Sequence, residues 1–240
     1  MPEQFAPARR RAAGARCSEA VSRRARTAVY VELGRRRAFA GSLDWPGWCR
    51  SGKGEEAALE TLAAYADRYA PVAAEAGIRF PADAGETLRV VERLPGGSTT
   101  DFGAPQAIAG ADRRPLSRKE AERHAALVEA SWAVFDRVVA TAPATLRKGP
   151  RGGGRDRDAI VDHVLGAEAG YARTLGVRHR QPARDDTAAV TALRDAIAAA
   201  LRMPSTGEPL TPKGWPPRYA ARRIAWHVLD HAWEIEDKSA

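Results

Sequence analysis

Residues 224–235 read Ile224-Ala225-Trp226-His227-Val228-Leu229-Asp230-His231-Ala232-Trp233-Glu234-Ile235. Ile224, His227, Val228, His231 and Ile235 recur at three- and four-residue spacing, so the stretch is an amphipathic helix with both histidines on its apolar stripe. The helix extends over 217–237, and three of like character precede it at 117–141, 156–175 and 185–202. The first is opened by Ser117 with Glu120 three residues later, the spacing of a capping box. Connections rich in Gly and Pro at 148–154, 176–182 and 203–217 separate them. Four helices of this length predict a four-helix bundle over 116–240.

The second helix carries a matching stripe of Ile160, His163, Val164, Ala167 and Tyr171. Three histidines therefore aim inward from two helices. A single inward histidine is ordinarily a hydrogen-bonded core residue, since a neutral imidazole needs only two partners. A His-x-x-x-His pair joined by a third histidine from a neighbouring helix offers three neutral nitrogens, the donor set of a divalent metal with an open position. His163, His227 and His231 are the candidate ligands, and zinc or nickel suits them best; packing histidines remain the alternative. Asp162 and Asp230 lie at other helical angles, and Glu168 is displaced from the His163 face by roughly 140°. His124 shares a stripe with Leu127, Val128 and Phe135 and is a candidate for the pocket rim, whereas His179 sits in a charged loop. The loop Arg147-Lys148-Gly149-Pro150-Arg151-Gly152-Gly153-Gly154-Arg155-Asp156-Arg157 feeds the His163 helix. Its Arg151, Arg155 and Arg157 are candidates for binding an anion or cofactor, against the plainer reading of a solvated loop.

Upstream, Val29, Val31 and Leu33 alternate with Tyr30 and Glu32, Gly34 and three arginines turn the chain, and Ala38-Phe39-Ala40 begins a return strand. A helix over 55–75 opens on Glu55 and Glu56, and a third strand spans 87–94. The expected fold class is thus α+β: a small β-β-α-β module over 28–95, a linker over 96–115 with a short extended piece at Thr99 to Phe102, and the four helices.

Two resemblances follow from these residues. The run Leu43-Asp44-Trp45-Pro46-Gly47-Trp48-Cys49-Arg50-Ser51-Gly52 with Glu55-Glu56-Ala57-Ala58-Leu59 resembles HicB-like domains, small β-β-α-β units that serve as antitoxins; no ribbon-helix-helix or helix-turn-helix segment accompanies it here. The order of the four helices, His163 in Asp162-His163-Val164-Leu165, and His227 with His231 resemble the DinB/YfiT-like metal-binding bundles over about half the chain. That resemblance implies a metal held by His163, His227 and His231, and an activity such as a transferase or isomerase using a low-molecular-weight thiol. The expected function is a metal-dependent transferase or hydrolase acting on an unidentified small molecule. A non-enzymatic HicB-like toxin-antitoxin or nucleic-acid-binding protein, and a metal-binding bundle without catalysis, are the alternatives.

Charge and composition bound these readings. Of the 240 residues, 50 are alanine and 33 of the 38 basic residues are arginine, so the 44% hydrophobic content overstates the core. The net charge of +8 is concentrated at the start, because seven basic and two acidic residues fall in 1–27, leaving 31 basic against 28 acidic elsewhere. The near-neutral remainder argues against nucleic acid as a partner. Residues 1–27 read as a disordered basic tail, with a nucleic-acid arm or targeting sequence as rivals. No apolar run is long enough to span a membrane, so no membrane association and a cytoplasmic location are expected, with a homodimer left open. Cys17 and Cys49 give no disulfide framework or metal-knuckle spacing.

Overall fold

A computed structural model describes residues 26–149 and 153–239; the basic tail, except Arg26 and Thr27, and Arg151 lie outside them. The described chain is mixed α+β, with a four-stranded sheet and seven helices.

The sheet has the order β3-β2-β1-β4, formed by β1 (Thr27–Leu33), β2 (Ala38–Ser42), β3 (Cys49–Gly52) and β4 (Leu88–Pro95). β1 pairs antiparallel with β2 and parallel with β4, with an irregularity in the β4 pairing between Val29 and Tyr30. Between β3 and β4 run α1 (Glu55–Ala64) and α2 (Ala66–Glu75), which cover the Val29 and Val31 face with Ala58, Leu62, Tyr69 and Val72. The opposite face is buried as well. Glu32 is fully buried there, and its carboxylate accepts hydrogen bonds from the Thr100 hydroxyl at 2.5 Å and from the backbone N–H groups of Gln106 and Ala107.

Three local expectations need correction. Residues 49–52 form a strand, because a hydrogen-bonded ladder to β2 is available to them after the Trp45-Pro46-Gly47-Trp48 turn. The helix expected over 55–75 breaks at Tyr65, whose ring meets Trp233 edge-on at 5.1 Å. The piece expected to be extended is a helical turn, α3 (Ser98–Phe102), with the Thr100 side chain accepting from the Gly97 N–H while donating to Glu32. The first module is therefore β-β-β-α-α-β rather than β-β-α-β.

A single 3-10 turn, Gly110–Arg113, leads to four long helices: α4 (Arg118–Thr141), α5 (Arg157–Thr174), α6 (Thr187–Leu201) and α7 (Pro217–Ser239). Ser117 and Glu120 cap α4 reciprocally, as their spacing predicts. Contacts run from α4 to α7, α7 to α5, α5 to α6 and α6 to α4, around a core that includes Val128, Phe135, Ile160, Leu193, Ile224 and Val228. α7 also faces the sheet module: Leu229 and Trp233 join Trp45, Trp48 and Leu127 in one apolar cluster. Gly47 makes this approach possible, since it adopts φ +94° and a Cβ there would lie 2.7 Å from Leu229 Cδ1. No helix among the described residues is long and apolar enough to cross a membrane.

Candidate metal centre

The α5–α7 contact brings together three of the residues singled out by helical spacing. His163, His227 and His231 place one ring nitrogen each within 4.8 Å of one another. His227 Nε2 lies 3.2 Å from His163 Nε2. Two imidazole nitrogens bound tetrahedrally to one zinc at about 2.0–2.1 Å would be about 3.4 Å apart, so this pair already has the required span. The ring centroids of His231 lie 4.9 Å from His163 and 4.7 Å from His227, nearly perpendicular to both. A shift of no more than about 1.5 Å would complete a three-nitrogen set around an ion.

The surroundings of two of the rings, His227 and His163, disfavour their charged form. Burial, then the neighbouring His231 and the charge of Arg223, hold His227 well below the ordinary histidine range. Burial, then His231 and Arg155, lower His163. Both effects favour neutral imidazole, the form whose lone pair binds a cation.

His231 is oriented by a residue that sequence spacing alone did not single out. Its Nδ1 lies 2.7 Å from Glu234 Oε2, and the other Glu234 oxygen accepts from Lys238 Nζ. The bond to His231, with a further contribution from Lys238, pulls the Glu234 carboxyl down to about 2 despite its partial burial. A carboxylate on Nδ1 fixes the proton there and leaves Nε2 free as a donor, the usual second contact of a metal-binding histidine. The only signal in the sequence is an acidic residue three positions after His231. His227 has no such support, since its Nδ1 is buried without a hydrogen-bond partner.

The remaining candidates are placed as follows. His124 is 3% exposed and lies outside the histidine cluster; burial lowers it to about 4. Arg155 is exposed, and its charge acts on His163 and His227. Arg157 is engaged by Asp158 at 2.9 Å and by the Ala142 carbonyl at 2.9 Å, tying the loop to the end of α4. Arg151 is not among the described residues. Asp230 pairs with Arg50 of β3 at 2.8 Å, and Asp162 with Arg184 at 2.9 Å. Glu168, fully buried, pairs with Arg194 at 3.3 Å.

The three ring nitrogens, with no carboxylate among them, form a set that could hold a metal ion. No family model, curated protein or solved structure matches this chain.

Proposed function

We propose that the chain is a DinB-like metal protein, its four long helices forming a bundle around a divalent ion held by His163, His227 and His231, and that it acts as a metal-dependent transferase or hydrolase. The observation that carries this reading is the convergence of three ring nitrogens within 4.8 Å, with burial disfavouring the charged form of two of the rings. A zinc or nickel ion in such a site supplies a Lewis-acid centre that lowers the pKa of a coordinated thiol or water.

The chain's own groups have separable roles in that scheme. Glu234 holds the proton on His231 Nδ1 and fixes the ring, while Lys238 holds Glu234. Tyr171 sets its ring edge-on to His227 at 5.6 Å, with Trp215 beyond it at 5.1 Å, giving the site one aromatic wall. That wall lines one side of His227. Asp230 is kept from the cluster by Arg50, so the set stays all-nitrogen.

Metal analysis of protein purified without a histidine tag tests the reading. The expected result is about one divalent ion per chain in the wild type, with sharply reduced occupancy in His163→Ala, His227→Ala and His231→Ala and none of that loss in His179→Ala. Wild-type protein that stays metal-free after incubation with zinc, nickel, manganese and iron(II), or a triple-Ala variant with full occupancy, overturns it.

A further inference from the structure

Helix α7 carries three arginines, and two of them are neutralised. Arg218 pairs with Glu120 at 2.6 Å. Arg222 makes a two-pronged pair with Asp112, at 2.9 and 2.5 Å, in a fully enclosed setting. Arg223 has no carboxylate partner among the described residues, and its Nη1 is buried without any hydrogen-bond partner. Leaving a guanidinium nitrogen desolvated and unpaired is costly, typically more than an ordinary lost hydrogen bond.

The position of this cation is specific. Arg223, His227 and His231 follow one another at four-residue intervals, so they share one face of α7, with Arg223 a single turn from the cluster. Its guanidinium carbon lies 5.3 Å from the Tyr171 ring centroid and 4.5 Å from that of Trp226. Tyr171 in turn contacts His227. The aromatic faces hold the guanidinium in place and supply no hydrogen-bond acceptor in its plane. The residue as a whole is only half-buried, so its side chain is not sealed off from solvent.

We propose that Arg223 recognises a carboxylate on the small molecule whose other end occupies the metal's open position. This rests on the metal reading and adds the substrate class to it: a monoanionic, carboxylate-bearing compound with a donor group about one helical turn away. A planar guanidinium offers paired N–H donors that match a carboxylate, and the neutralisation of Arg222 by Asp112 leaves a single uncompensated positive charge on this turn of the helix. One charge suits a carboxylate better than a phosphate dianion.

The test uses the full chain loaded with cobalt(II), whose visible absorption reports ligand binding. It is titrated with succinic monohydroxamic acid, which has a hydroxamate for the metal and a free carboxylate, and with the corresponding terminal amide. The wild type should bind the acid about tenfold or more tightly than the amide, a typical margin for one charge-assisted hydrogen-bonded pair. Arg223→Gln should keep its cobalt and its amide affinity but lose the preference, and Arg223→Lys should recover part of it. Equal affinities in the wild type, or a preference undiminished in Arg223→Gln, overturn the role of Arg223 and leave the metal reading standing. A wild-type chain that takes up no cobalt overturns the metal reading, and this inference falls with it.

Discussion

Glu234 touches no candidate ligand except His231, yet the whole value of its position lies in the ring proton it fixes. Glu234→Gln should therefore weaken metal binding by about 10–100-fold with little change in melting temperature, as a competition titration against a metal indicator would read. Proton competition gives a second expectation. Because burial lowers both His163 and His227, metal occupancy should persist as pH falls through about 6.5 and fail only below it. A midpoint above that value would count against the lowering of His163 and His227. His124 provides a stability effect separate from the metal. Burial lowers it to about 4, with Arg218, Arg123 and Arg222 adding to the shift and Glu120 opposing it. Between about 6.5 and 4 the unfolded chain binds a proton there that the folded chain does not, so the contribution of this one group is lost as pH falls across that window, by on the order of 3 kcal/mol, and no further below it. His124→Leu should make that part of the stability profile less steep in urea melts at successive pH values, the remaining slope coming from His163 and His227. The three clustered histidines were legible because a 3-4 stripe fixes direction as well as spacing. Glu234 was not, because Asp230 adjoins His231 directly whereas Glu234 is three residues away, and the diversion of Asp230 to Arg50 depends on a strand 180 residues away.

Element boundaries follow the local chemistry where that chemistry is complete. Ser117 accepts from the Glu120 N–H and Glu120 bonds back to the Ser117 N–H, so α4 begins where the capping box predicts. Ser117→Ala should cost about 1 kcal/mol in chemical denaturation, with no loss of metal, since the cap lies at the start of α4 and the histidines are on α5 and α7. The four long helices were readable to within about two residues for a related reason: each has an apolar stripe, and Gly- or Pro-containing connections follow α4, α5 and α6. β3 was not readable. Cys49-Arg50-Ser51-Gly52 has no apolar alternation, and its extended state comes from the ladder to β2. The break at Tyr65 was equally hidden, since Leu59, Leu62, Ala66 and Tyr69 keep helical spacing through it and the reorientation serves a contact with Trp233.

At the scale of the whole molecule, α7 is shared between the long helices and the sheet module. Val228 and Ile235 face the core among the helices, while Leu229 and Trp233 join Trp45, Trp48 and Leu127 in the other cluster. Gly and Pro between 95 and 115 suggest a place where protease should cut, but Ala109, Asp112 and Thr100 in that segment are almost completely buried. Their partners, Arg222 for Asp112 and Glu32 for Thr100, are 110 and 68 residues away, which is why composition could not reveal the anchoring. A 115–240 fragment would expose Leu127, Leu229 and Trp233, each worth roughly 1.5–3 kcal/mol of burial. It would also leave Arg222 without Asp112, and stranding one member of a buried pair costs about 3–5 kcal/mol. These losses are comparable with the entire stability of an ordinary domain, about 5–15 kcal/mol. The fragment should therefore aggregate or melt far below the full chain, and limited proteolysis of the native protein should spare 96–115. A soluble 115–240 fragment that unfolds cooperatively at the full chain's temperature, or early cleavage within 96–115, would show instead that the shared cluster contributes little and that the helices carry the histidine site on their own.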